Sequence, residues 1–407
     1  MNVLVLTHRL PYAPNRGDRV RAHHIVRLLA ARADVHVVSL VHDREEAGHA
    51  DTLRQLGVKV SIAPVPRLRN LLSAAAALPT ELPLTHALLH SPGMATAIEA
   101  ATRRETPDVV LAYCTGVAPL ALTPPLAGVP LVLDIVDVDS AKWAAFADAS
   151  RFPRAWIYRR EATRLAAFER RAVRASIAAT VVNERERDTL LRSCRDAEVH
   201  VVPNGVDVSA LTPHAPPASE ERVIFTAVFD YAPNTEGALW FARRVWPLVR
   251  AVRPAAMLTL AGASPTRAVR QLAALDPSIE VTGAVPDMRP YLWRSAVAVA
   301  PLHQARGVQN KVLEAAAAGL PAVITSPVWQ GLPKEVLSAC RRADTPEQFA
   351  LQVIELLSLP PHARRGIAAL ARLGHLSWPK RLAPLVDLVE RAARSGAEAR
   401  AAVVQSV

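Results

Sequence analysis

Residues 306–325 read RGVQNKVLEAAAAGLPAVIT, and the signals in this stretch decide the fold. Apolar runs at 296–302 and up to Ile324 flank it, and both are predicted strands. Asn310 is a favourable N-cap for a helix between the two strands, and Gly319 stands where that helix should end at its C′ position. The order of strand, glycine loop, helix and strand predicts a parallel βαβ unit.

The N-terminus of that helix is a candidate anion site. Gly307 loosens the preceding loop, and the unpaired N–H groups and dipole of a helix N-terminus attract negative charge. Lys311 could add a positive charge, and Glu314 could accept a hydrogen bond from a ribose hydroxyl. The alternative is that the stretch is one more βαβ unit with a capped helix.

The composition is that of a globular protein. The chain has 407 residues, enough for two domains, and is 51% hydrophobic and 21% charged. Its three cysteines are far apart and lack metal-binding spacing, which indicates a reducing compartment. The N-terminus enters a strand with no basic segment before it, so we expect no signal peptide and a cytoplasmic location.

One stretch, residues 109–133, carries no charge over a length that could cross a bilayer. It contains Pro119, Pro124, Pro125 and Pro130, which would leave backbone groups unsatisfied in lipid. We therefore predict a strand, a loop and a second strand here, and no transmembrane helix.

The net charge of +11 favours anionic partners such as nucleotide phosphates, anionic lipid or nucleic acid. Residues 151–175 contribute much of the excess, with eight arginines and two glutamates. The chain has no zinc-finger spacing, no aromatic RNP-like pattern and no helix-turn-helix signal. Nucleic acid is therefore not an expected partner.

Short apolar runs alternate with amphipathic segments along the whole chain, which predicts two doubly wound, Rossmann-like α/β domains with parallel sheets. We expect an N-terminal domain over 1–205, a C-terminal domain over 206–380, a helix over 381–395 that packs back on the first domain, and a tail over 396–407. Ligands of such sheets bind at the carboxyl ends of strands, so two domains predict a cleft between them. The predicted strands are 3–7, 35–41, 58–63, 109–113, 131–136, 178–182 and 199–202, then 223–228, 257–261, 279–282, 297–300 and a run up to Ile324.

Further candidates follow other predicted strands. Gly17 precedes the first helix, where a bare backbone could approach a phosphate, although the loop is not a GxGxxG and could be an ordinary βα connection. In the second domain Asn234 could cap a helix, and Tyr231 or Asn234 could reach a ligand. Val285 lies in a turn, GAVPD at 283–287, that suits backbone contacts to a base.

Asp137 and Asp139 belong to residues 134–140, the most polar patch in the fifth predicted strand of the first domain. Alternate positions of a strand point to one side, so the two acids could act together. They could bind Mg²⁺ or Mn²⁺ on a nucleotide diphosphate, position an acceptor or act as a base, or Asp139 or Ser140 could cap a helix. Asp137 is the stronger functional candidate. No histidine spacing, nucleophile elbow or Walker loop is present, and we predict no metal site.

These residues together resemble the family-four glycosyltransferases of the two-Rossmann-domain (GT-B) type over nearly the full length. The shared landmarks are PNGVD at 203–207, GAVPD at 283–287 and EAAAAGLP at 314–321. More narrowly, the chain resembles the sugar transferases found with PEP-CTERM/exosortase exopolysaccharide loci. The segments that carry this second likeness are DVDSAKW at 137–143, DYAPN at 230–234 and ARGVQNKVLEA at 305–315.

The resemblance implies a nucleotide-diphosphate-sugar donor bound mainly by the second domain, retention at the anomeric carbon, and no obligatory metal or other cofactor. Glu314 matches the second glutamate of the family's paired motif, which contacts the ribose, and Gly17 matches a glycine near the diphosphate. The donor-binding residues expected on this basis are Gly17, Tyr231, Asn234, Val285, Arg306, Gly307, Val308, Gln309, Asn310, Lys311 and Glu314.

The chain departs from the family pattern at several positions. Arg306 stands where the first glutamate of the pair is expected; an arginine can bind phosphate or a sugar carboxylate but cannot accept a hydrogen bond from a sugar. Ala227 replaces the glycine that the family usually has at the end of the first strand of the second domain, and the arginine or lysine that usually clamps the phosphate after that strand is missing. Val136 replaces the histidine often found at the end of the fifth strand of the first domain. Asp137 and Arg306 are therefore the catalytic candidates, with Asp137 and Asp139 on the acceptor side.

We therefore expect a glycosyltransferase that moves a sugar to a glycan or lipid-linked acceptor in exopolysaccharide assembly. The basic segment 151–175 suggests peripheral contact with an anionic membrane surface at the inner membrane face, or simply a solvated helical face. Two other functions fit the same architecture. They are a nucleotide-sugar 2-epimerase and a non-catalytic polysaccharide-locus binding protein.

Overall fold

The computed structural model describes residues 1–12, 17–214, 220–305 and 307–405, and the side chains of all of these except 17, 18 and 397–405. The chain divides into two compact units. Unit 1 comprises Met1–Pro203 and Leu382–Val407, and unit 2 comprises Asn204–Arg381.

Unit 1 is built on a seven-stranded, entirely parallel sheet in the order β3-β2-β1-β4-β5-β6-β7. Helices cover a parallel sheet on both faces, which is why most of its strands are near-continuous apolar runs. Its strands are β1 (Asn2–Thr7), β2 (Asp34–Val41), β3 (Lys59–Pro64), β4 (Val109–Tyr113), β5 (Leu131–Val136), β6 (Ala178–Val181) and β7 (Val199–Val201).

Ten described helices accompany this sheet before the chain leaves unit 1. They are α1 (Gly17–Ala30), α2 (Arg44–Gly48), α3 (Ala50–Arg54), α4 (Arg67–Ala77), α5 (Leu84–Leu89), α6 (Pro92–Arg104), α7 (Ala118–Ala121), α8 (Asp139–Asp148), α9 (Arg154–Ala175) and α10 (Glu184–Leu191). The uncharged stretch 109–133 folds into β4, α7 and the first part of β5, so the predicted strand, loop and strand are confirmed with one short helix in the loop. Among the described residues, no helix is both long and apolar enough to cross a membrane.

A buried ion pair lies at the centre of unit 1. Arg21 of α1 donates from Nε and Nη2 to the two carboxylate oxygens of Asp134 in β5, at 2.7 and 3.1 Å. Both side chains are almost fully buried, and Arg21 also donates to the carbonyl of Val202 while Asp134 accepts from Thr180. Breaking a buried pair by removing one partner costs about 3–5 kcal/mol, so these residues fix the helix against the sheet.

Unit 2 is built on a six-stranded, entirely parallel sheet in the order β10-β9-β8-β11-β12-β13. Its strands are β8 (Arg222–Thr226), β9 (Met257–Ala261), β10 (Ile279–Gly283), β11 (Val297–Ala300), β12 (Ala322–Ile324) and β13 (Cys340–Arg342). Its described helices are α11 (Val208–Leu211), α12 (Ala232–Trp240), α13 (Trp246–Val252), α14 (Arg267–Leu275), α15 (Arg289–Trp293), α16 (Asn310–Ala317), α17 (Ser326–Gly331), α18 (Lys334–Leu337), α19 (Pro346–Ser358) and α20 (Pro361–Ala369). The prediction of two doubly wound parallel sheets is confirmed.

The last helix, α21 (Trp378–Gln405), begins in unit 2 and from Leu382 belongs to unit 1. The sequence pattern predicts a tail from residue 396, but α21 continues through Gly396 to Gln405. The reason is propensity, because residues 397–405 contain four alanines together with glutamate, arginine and glutamine, all good helix formers.

The helix in the opening stretch ends as predicted. Gly319 has a φ of +79°, a conformation that costs glycine nothing, and its N–H donates to Ala316 while that of Leu320 donates to Ala315. The predicted N-cap is wrong by one residue, because Gln309 occupies the cap position and makes no side-chain cap hydrogen bond. Asn310 is instead the first helical residue.

Candidate functional site

Each sheet has one switch point, where the chain connections from two neighbouring strands run in opposite directions across the sheet. In unit 2 this point lies between β8 and β11, because β9 and β10 extend the sheet on one side and β12 and β13 on the other. In unit 1 it lies between β1 and β4. Ligands of open α/β sheets bind outside the carboxyl ends of strands at these points, which directs attention to the loops that follow these four strands.

The loop after β11 is held close to its neighbours by glycines. Gly307 is buried with a φ of +65°, which agrees with its predicted role in loosening the backbone. A Cβ on Gly331 of α17 would lie 2.5 Å from the carbonyl oxygen of Gly307, and a Cβ on Gly237 of α12 would lie 2.7 Å from that of Pro301. The loop can therefore take this path only because neither neighbour carries a side chain.

Lys311 joins this loop region to the first strand of unit 2. Its Nζ donates to Asn234 Oδ1 at 2.9 Å, and Asn234 Nδ2 donates to the carbonyl of Val228 at 2.9 Å. The ammonium group also lies 4.7 Å from the centroid of the Phe225 ring. Asn234 is the third residue of α12 rather than its cap, so the predicted capping role is wrong and its side chain serves this tertiary link.

The setting of Lys311 weakens its hold on a proton. Burial lowers the pKa of Lys311 to about 7, and the charge of Glu314 offsets only part of that effect. At neutral pH the group is therefore close to half-charged in the free protein. An anion placed beside it would restore the full charge, because an opposite charge favours the protonated form.

Glu314 lies one turn further along α16 and is half-buried. Burial raises the pKa of Glu314, and the charge of Lys311 offsets part of this rise. Its carboxylate accepts no hydrogen bond from any residue within the described ranges. Such a group is costly to keep without partners, and it is available to accept hydrogen bonds from a ligand hydroxyl.

The other predicted contacts of unit 2 are spread more widely. Tyr231 occupies the N-cap position of α12 and is 43% exposed, and Asn310 accepts a hydrogen bond from Asn204 at 3.3 Å. Val308 and Gln309 are half-buried in the loop before α16. Val285 is apart from these, since it follows β10 at the edge of the sheet, with β9 between that strand and β8. Arg306 lies outside the described residues.

In unit 1 the backbone is strained where β4 and β5 end. Cys114 and Val136 both have a φ of +68°, a left-handed conformation that is unfavourable for a β-branched residue such as valine. The two strands are neighbours, so the strained residues lie at the same edge of the sheet. Strain of this kind persists only where the surrounding structure enforces it, and it is concentrated at functional sites.

Asp137 follows the strained Val136 directly. Its Oδ1 atom is buried and has no hydrogen-bond partner among the described residues. Burial, followed by the charge of Glu186, raises the pKa of Asp137 to about 6, while Lys142 acts in the opposite direction. An acid with a pKa near neutrality and an unused oxygen is suited to proton transfer or to orienting a hydroxyl group.

The predicted partnership of Asp137 and Asp139 on one strand is wrong. β5 ends at Val136, and Asp139 is the first residue of α8, where its carboxylate accepts from Thr115 Oγ1 at 2.6 Å. The capping alternative also fails, because Val138 occupies the N-cap position and neither Asp139 nor Ser140 caps α8. The strand ends early because its backbone turns into the left-handed region at Val136.

Two buried glutamates hold this turn, and the sequence pattern does not single out either. Glu186 of α10 accepts from the N–H of Val138 at 2.8 Å, and Glu169 of α9 accepts from the N–H and hydroxyl of Ser140. Burial raises the pKa of Glu169 to about 7. Asn183 caps α10 three residues before Glu186, the spacing of a capping box, but the glutamate reaches across to another element instead.

Gly17 is the first residue of α1, on the chain segment that follows β1. Residues 13–16 before it lie outside the described ranges, so the predicted phosphate contact in that loop has no described geometry. Within the described part of the chain, no three histidine, cysteine, aspartate or glutamate side chains are grouped closely enough to hold a metal ion.

Comparisons with known proteins agree with this architecture. A model of the glycosyl transferase 4-like domain matches residues 16–205, and a model of the glycosyl transferases group 1 matches residues 220–359. No curated protein matches the sequence.

Solved structures of other proteins share the fold at low sequence identity. WaaG, a glycosyltransferase involved in lipopolysaccharide biosynthesis, is 16% identical with a TM-score of 0.64, over 95% of this chain and 99% of that one. HepE of Anabaena, solved with UDP and glucose, is 12% identical with a TM-score of 0.65, over 96% and 100%. A TarM variant of S. aureus, solved with Fondaparinux, alpha-GlcNAc-glycerol and UDP, is 9% identical with a TM-score of 0.68, over 95% and 99%.

The two family models follow each other along the chain, one on each unit, and together they match most of its length. The two parallel sheets have the architecture of WaaG and HepE. The chain therefore has the two-domain GT-B fold, and each of its two units contains a region that matches a glycosyltransferase family model.

Proposed function

We propose that the protein transfers a sugar from a nucleoside diphosphate to a glycan or lipid-linked acceptor. The observation that carries this proposal is the pairing at α16 of a lysine with a lowered pKa, tethered through Asn234, and a half-buried glutamate with no described partner. These groups suit the two polar parts of a nucleotide, its diphosphate and its ribose. The UDP and sugar bound in the HepE structure support this class of donor.

The donor would bind at the carboxyl edge of the six-stranded sheet. The diphosphate would face the N-terminus of α16 and the N–H groups of the loop from Gly307 to Gln309, and Glu314 would accept from the ribose. Lys311 would regain its full charge beside the phosphates. Arg306 and the N-terminus of α1 at Gly17 remain proposed further phosphate contacts, and Tyr231, Asn234 and Val285 proposed contacts to the rest of the donor.

In the reaction, negative charge grows on the diphosphate as its bond to the sugar breaks. Donors fixed in advance by the fold, here the helix N-terminus and Lys311, stabilise that charge more than water does. Asp137 would orient the acceptor hydroxyl and receive its proton, with the anomeric configuration retained as in the resembled family. No metal or other cofactor is part of this proposal.

The acceptor domain would be residues 1–205 and the donor domain residues 206–380, with exopolysaccharide assembly, as at PEP-CTERM loci, as the setting. We also propose that the protein is cytoplasmic and touches an anionic membrane surface through residues 151–175. This proposal is supported by the charge distribution of α9, because its two glutamates are buried while most of its arginines are exposed. Those exposed arginines are Arg154, Arg159, Arg170, Arg171 and Arg174.

The test is to incubate the protein with a panel of UDP- and GDP-sugars, with and without lipid-linked or oligosaccharide acceptors. Nucleoside diphosphate release that depends on an acceptor, together with a longer glycan product, is the expected result. An altered sugar formed without any acceptor would identify a 2-epimerase instead. Neither release nor an altered sugar across the panel would favour a non-catalytic binding protein.

A further inference from the structure

Helix α4 has its polarity reversed relative to an ordinary surface helix. Its three leucines are strongly exposed, Leu68 by 82%, Leu71 by 59% and Leu72 by 75%, whereas its buried residues are Asn70 and Ala77. A helix that packs on a core normally turns its apolar stripe inward. The leucines of α4 are spaced i, i+3 and i+4, so they form one stripe that faces outward.

Polar contacts, not the leucines, attach α4 to the rest of unit 1. Asn70 Nδ2 donates to the carbonyls of Leu88 and His90, both at 2.8 Å. At the other end of the helix, Arg160 of α9 donates to the carbonyls of Ala77 and Leu78 at 2.6 and 2.7 Å. The helix is therefore held firmly in an orientation that leaves its apolar stripe without a partner among the described residues.

Further exposed apolar side chains lie on the elements that Arg160 joins. Trp156 is one helical turn before Arg160 on α9 and is 55% exposed, and Phe152 just before that helix is 84% exposed. Leu82, in the connection from α4 to α5, is 47% exposed, and its carbonyl also accepts from Arg160. Tryptophan and phenylalanine are favoured where protein meets the polar boundary of a membrane.

The charge around the stripe is positive. Arg67 and Arg69 are exposed on α4, which contains no aspartate or glutamate. Glu161, on the adjoining face of α9, is buried and accepts hydrogen bonds from the backbone of α5. Glu81 is an exposed acid in the connection, and it pairs with Arg164. A surface of leucine and aromatic residues edged by unopposed arginines is complementary to an anionic lipid surface.

We propose that α4 lies in the interface of an anionic bilayer, with Leu68, Leu71 and Leu72 among the acyl chains and Arg67 and Arg69 at the headgroups. The stripe is the outer face of a single helix, which suits a flat surface. A second copy of the chain would bring the same arginines against each other, and such like-charge contacts oppose pairing. The bilayer would be a partner of the acceptor unit of the proposed transferase, on whose function this proposal rests. The leucines would add an apolar insertion to the basic contact at 151–175.

The experiment is co-sedimentation of the whole protein with vesicles of phosphatidylglycerol and phosphatidylcholine, and with vesicles of phosphatidylcholine alone. We expect binding to the anionic vesicles and at least tenfold weaker partition for the double variant Leu68→Gln, Leu72→Gln. Leu275→Gln is the matched control, because Leu275 is a leucine in unit 2 that is 80% exposed on α14. This control should partition like the wild type.

Three outcomes would overturn the proposal. They are no binding of the wild type to anionic vesicles, equal partition of the wild type and the double variant, and a concentration-dependent dimer without lipid that the double variant abolishes. Thermal unfolding checks that each variant is folded. We expect little change in stability, since exposed leucines contribute little to folding. Calorimetry with UDP and GDP separates this proposal from the donor site: a wild-type protein that binds nucleotide but does not bind anionic vesicles would refute only the α4 proposal.

Discussion

Lys311 is the residue whose environment most clearly anticipates a ligand. Burial lowers the pKa of Lys311 to about 7, so above that pH an added diphosphate must draw a proton onto the amine before it gains a full charge pair. We predict that the contribution of Lys311 to nucleotide affinity is nearly constant below pH 7. Between pH 7 and 9 the affinity should fall by up to about tenfold per pH unit.

Calorimetry in buffers of different ionisation enthalpy measures this linkage as proton uptake on binding. The variant Lys311→Met should bind more weakly and show much less uptake at pH 8. The stability of the fold depends on pH in the opposite sense to nucleotide affinity. Between about pH 7 and 10.5 the unfolded chain binds more protons at Lys311 than the folded chain does, so the contribution of Lys311 to stability rises with pH across that window. Nucleotide binding by the wild type without proton uptake at pH 8 would contradict the proposed contact of Lys311 with the diphosphate.

Asp137 allows a second prediction from its raised pKa. Burial and Glu186 raise the pKa of Asp137 to about 6, with Asp139 acting in the same sense and Lys142 and Arg21 in the opposite one. Removing the charge of Glu186 by Glu186→Gln keeps an acceptor for the N–H of Val138. We predict that the acidic limb of the rate profile moves to lower pH by several tenths to about one unit.

The measurement is kcat against pH for the wild type, Glu186→Gln and Glu184→Gln. Glu184 is the control because it is exposed on the same helix. A merely structural role for Glu186 would lower activity at all pH values alike, and an acidic limb that does not move would count against Asp137 as the titrating group. For folding, the native state holds the proton between about pH 4 and 6, so this group contributes stability that is lost as pH rises through that range.

Residue-level prediction from the sequence succeeded where the cause was local. Gly307 and Gly319 take positive φ values, which the chain itself demands near a loop and a helix end. The Lys311–Asn234 hydrogen bond joins residues 77 positions apart, and the Glu186–Val138 bond joins residues 48 apart. Neither link leaves a periodic or spacing signal, so only the folded chain reveals them.

At the scale of elements, the close approach of α17 to the loop before α16 supplies a test. A methyl group on Gly331 would lie 2.5 Å from the backbone oxygen of Gly307, closer than contacting atoms allow, so the loop must move. We predict that Gly331→Ala weakens nucleotide binding at least tenfold and costs about 1–3 kcal/mol of stability. Binding and thermal unfolding of the purified variant measure both effects.

Gly366→Ala is the matched control, since a Cβ at Gly366 in α20 meets nothing within 4 Å. That change should leave nucleotide affinity unaltered and stabilise the protein by about 0.5–1 kcal/mol, because alanine favours a helix interior. Equal nucleotide affinity in Gly331→Ala and the wild type would show that the position of this loop does not matter for the donor.

Secondary structure was predictable because buried parallel strands are apolar runs and the crossover helices are amphipathic. β13 is the exception, since two of its three residues are arginines and no apolar run marks it. The three cap assignments, Asn234, Asn310 and Asp139 or Ser140, are wrong because Tyr231, Gln309 and Val138 occupy the N-cap positions, and none of these makes a side-chain cap hydrogen bond. A favourable capping residue in the sequence therefore does not by itself fix where a helix starts.

At the scale of the whole molecule, alternation of strands and helices sufficed to predict two doubly wound sheets. The residues proposed for donor and acceptor are divided between the two units, with Lys311 and Glu314 in unit 2 and Asp137 in unit 1. Nucleotide should therefore bind and stabilise the protein through unit 2, whatever becomes of Asp137. This separation makes nucleotide binding a cleaner test of the account than turnover, which needs both units.

The most direct measurement is a calorimetric titration of UDP and GDP into the wild type, Glu314→Ala and Glu347→Ala. Glu347 is an exposed glutamate in the first turn of α19 and serves as the control. We predict that one of the two nucleotides binds the wild type and Glu347→Ala alike, and that Glu314→Ala binds about 10- to 150-fold more weakly, as for a lost hydrogen bond to a charged group. Absence of binding by either nucleotide, or unchanged affinity in Glu314→Ala, would contradict the donor site at α16.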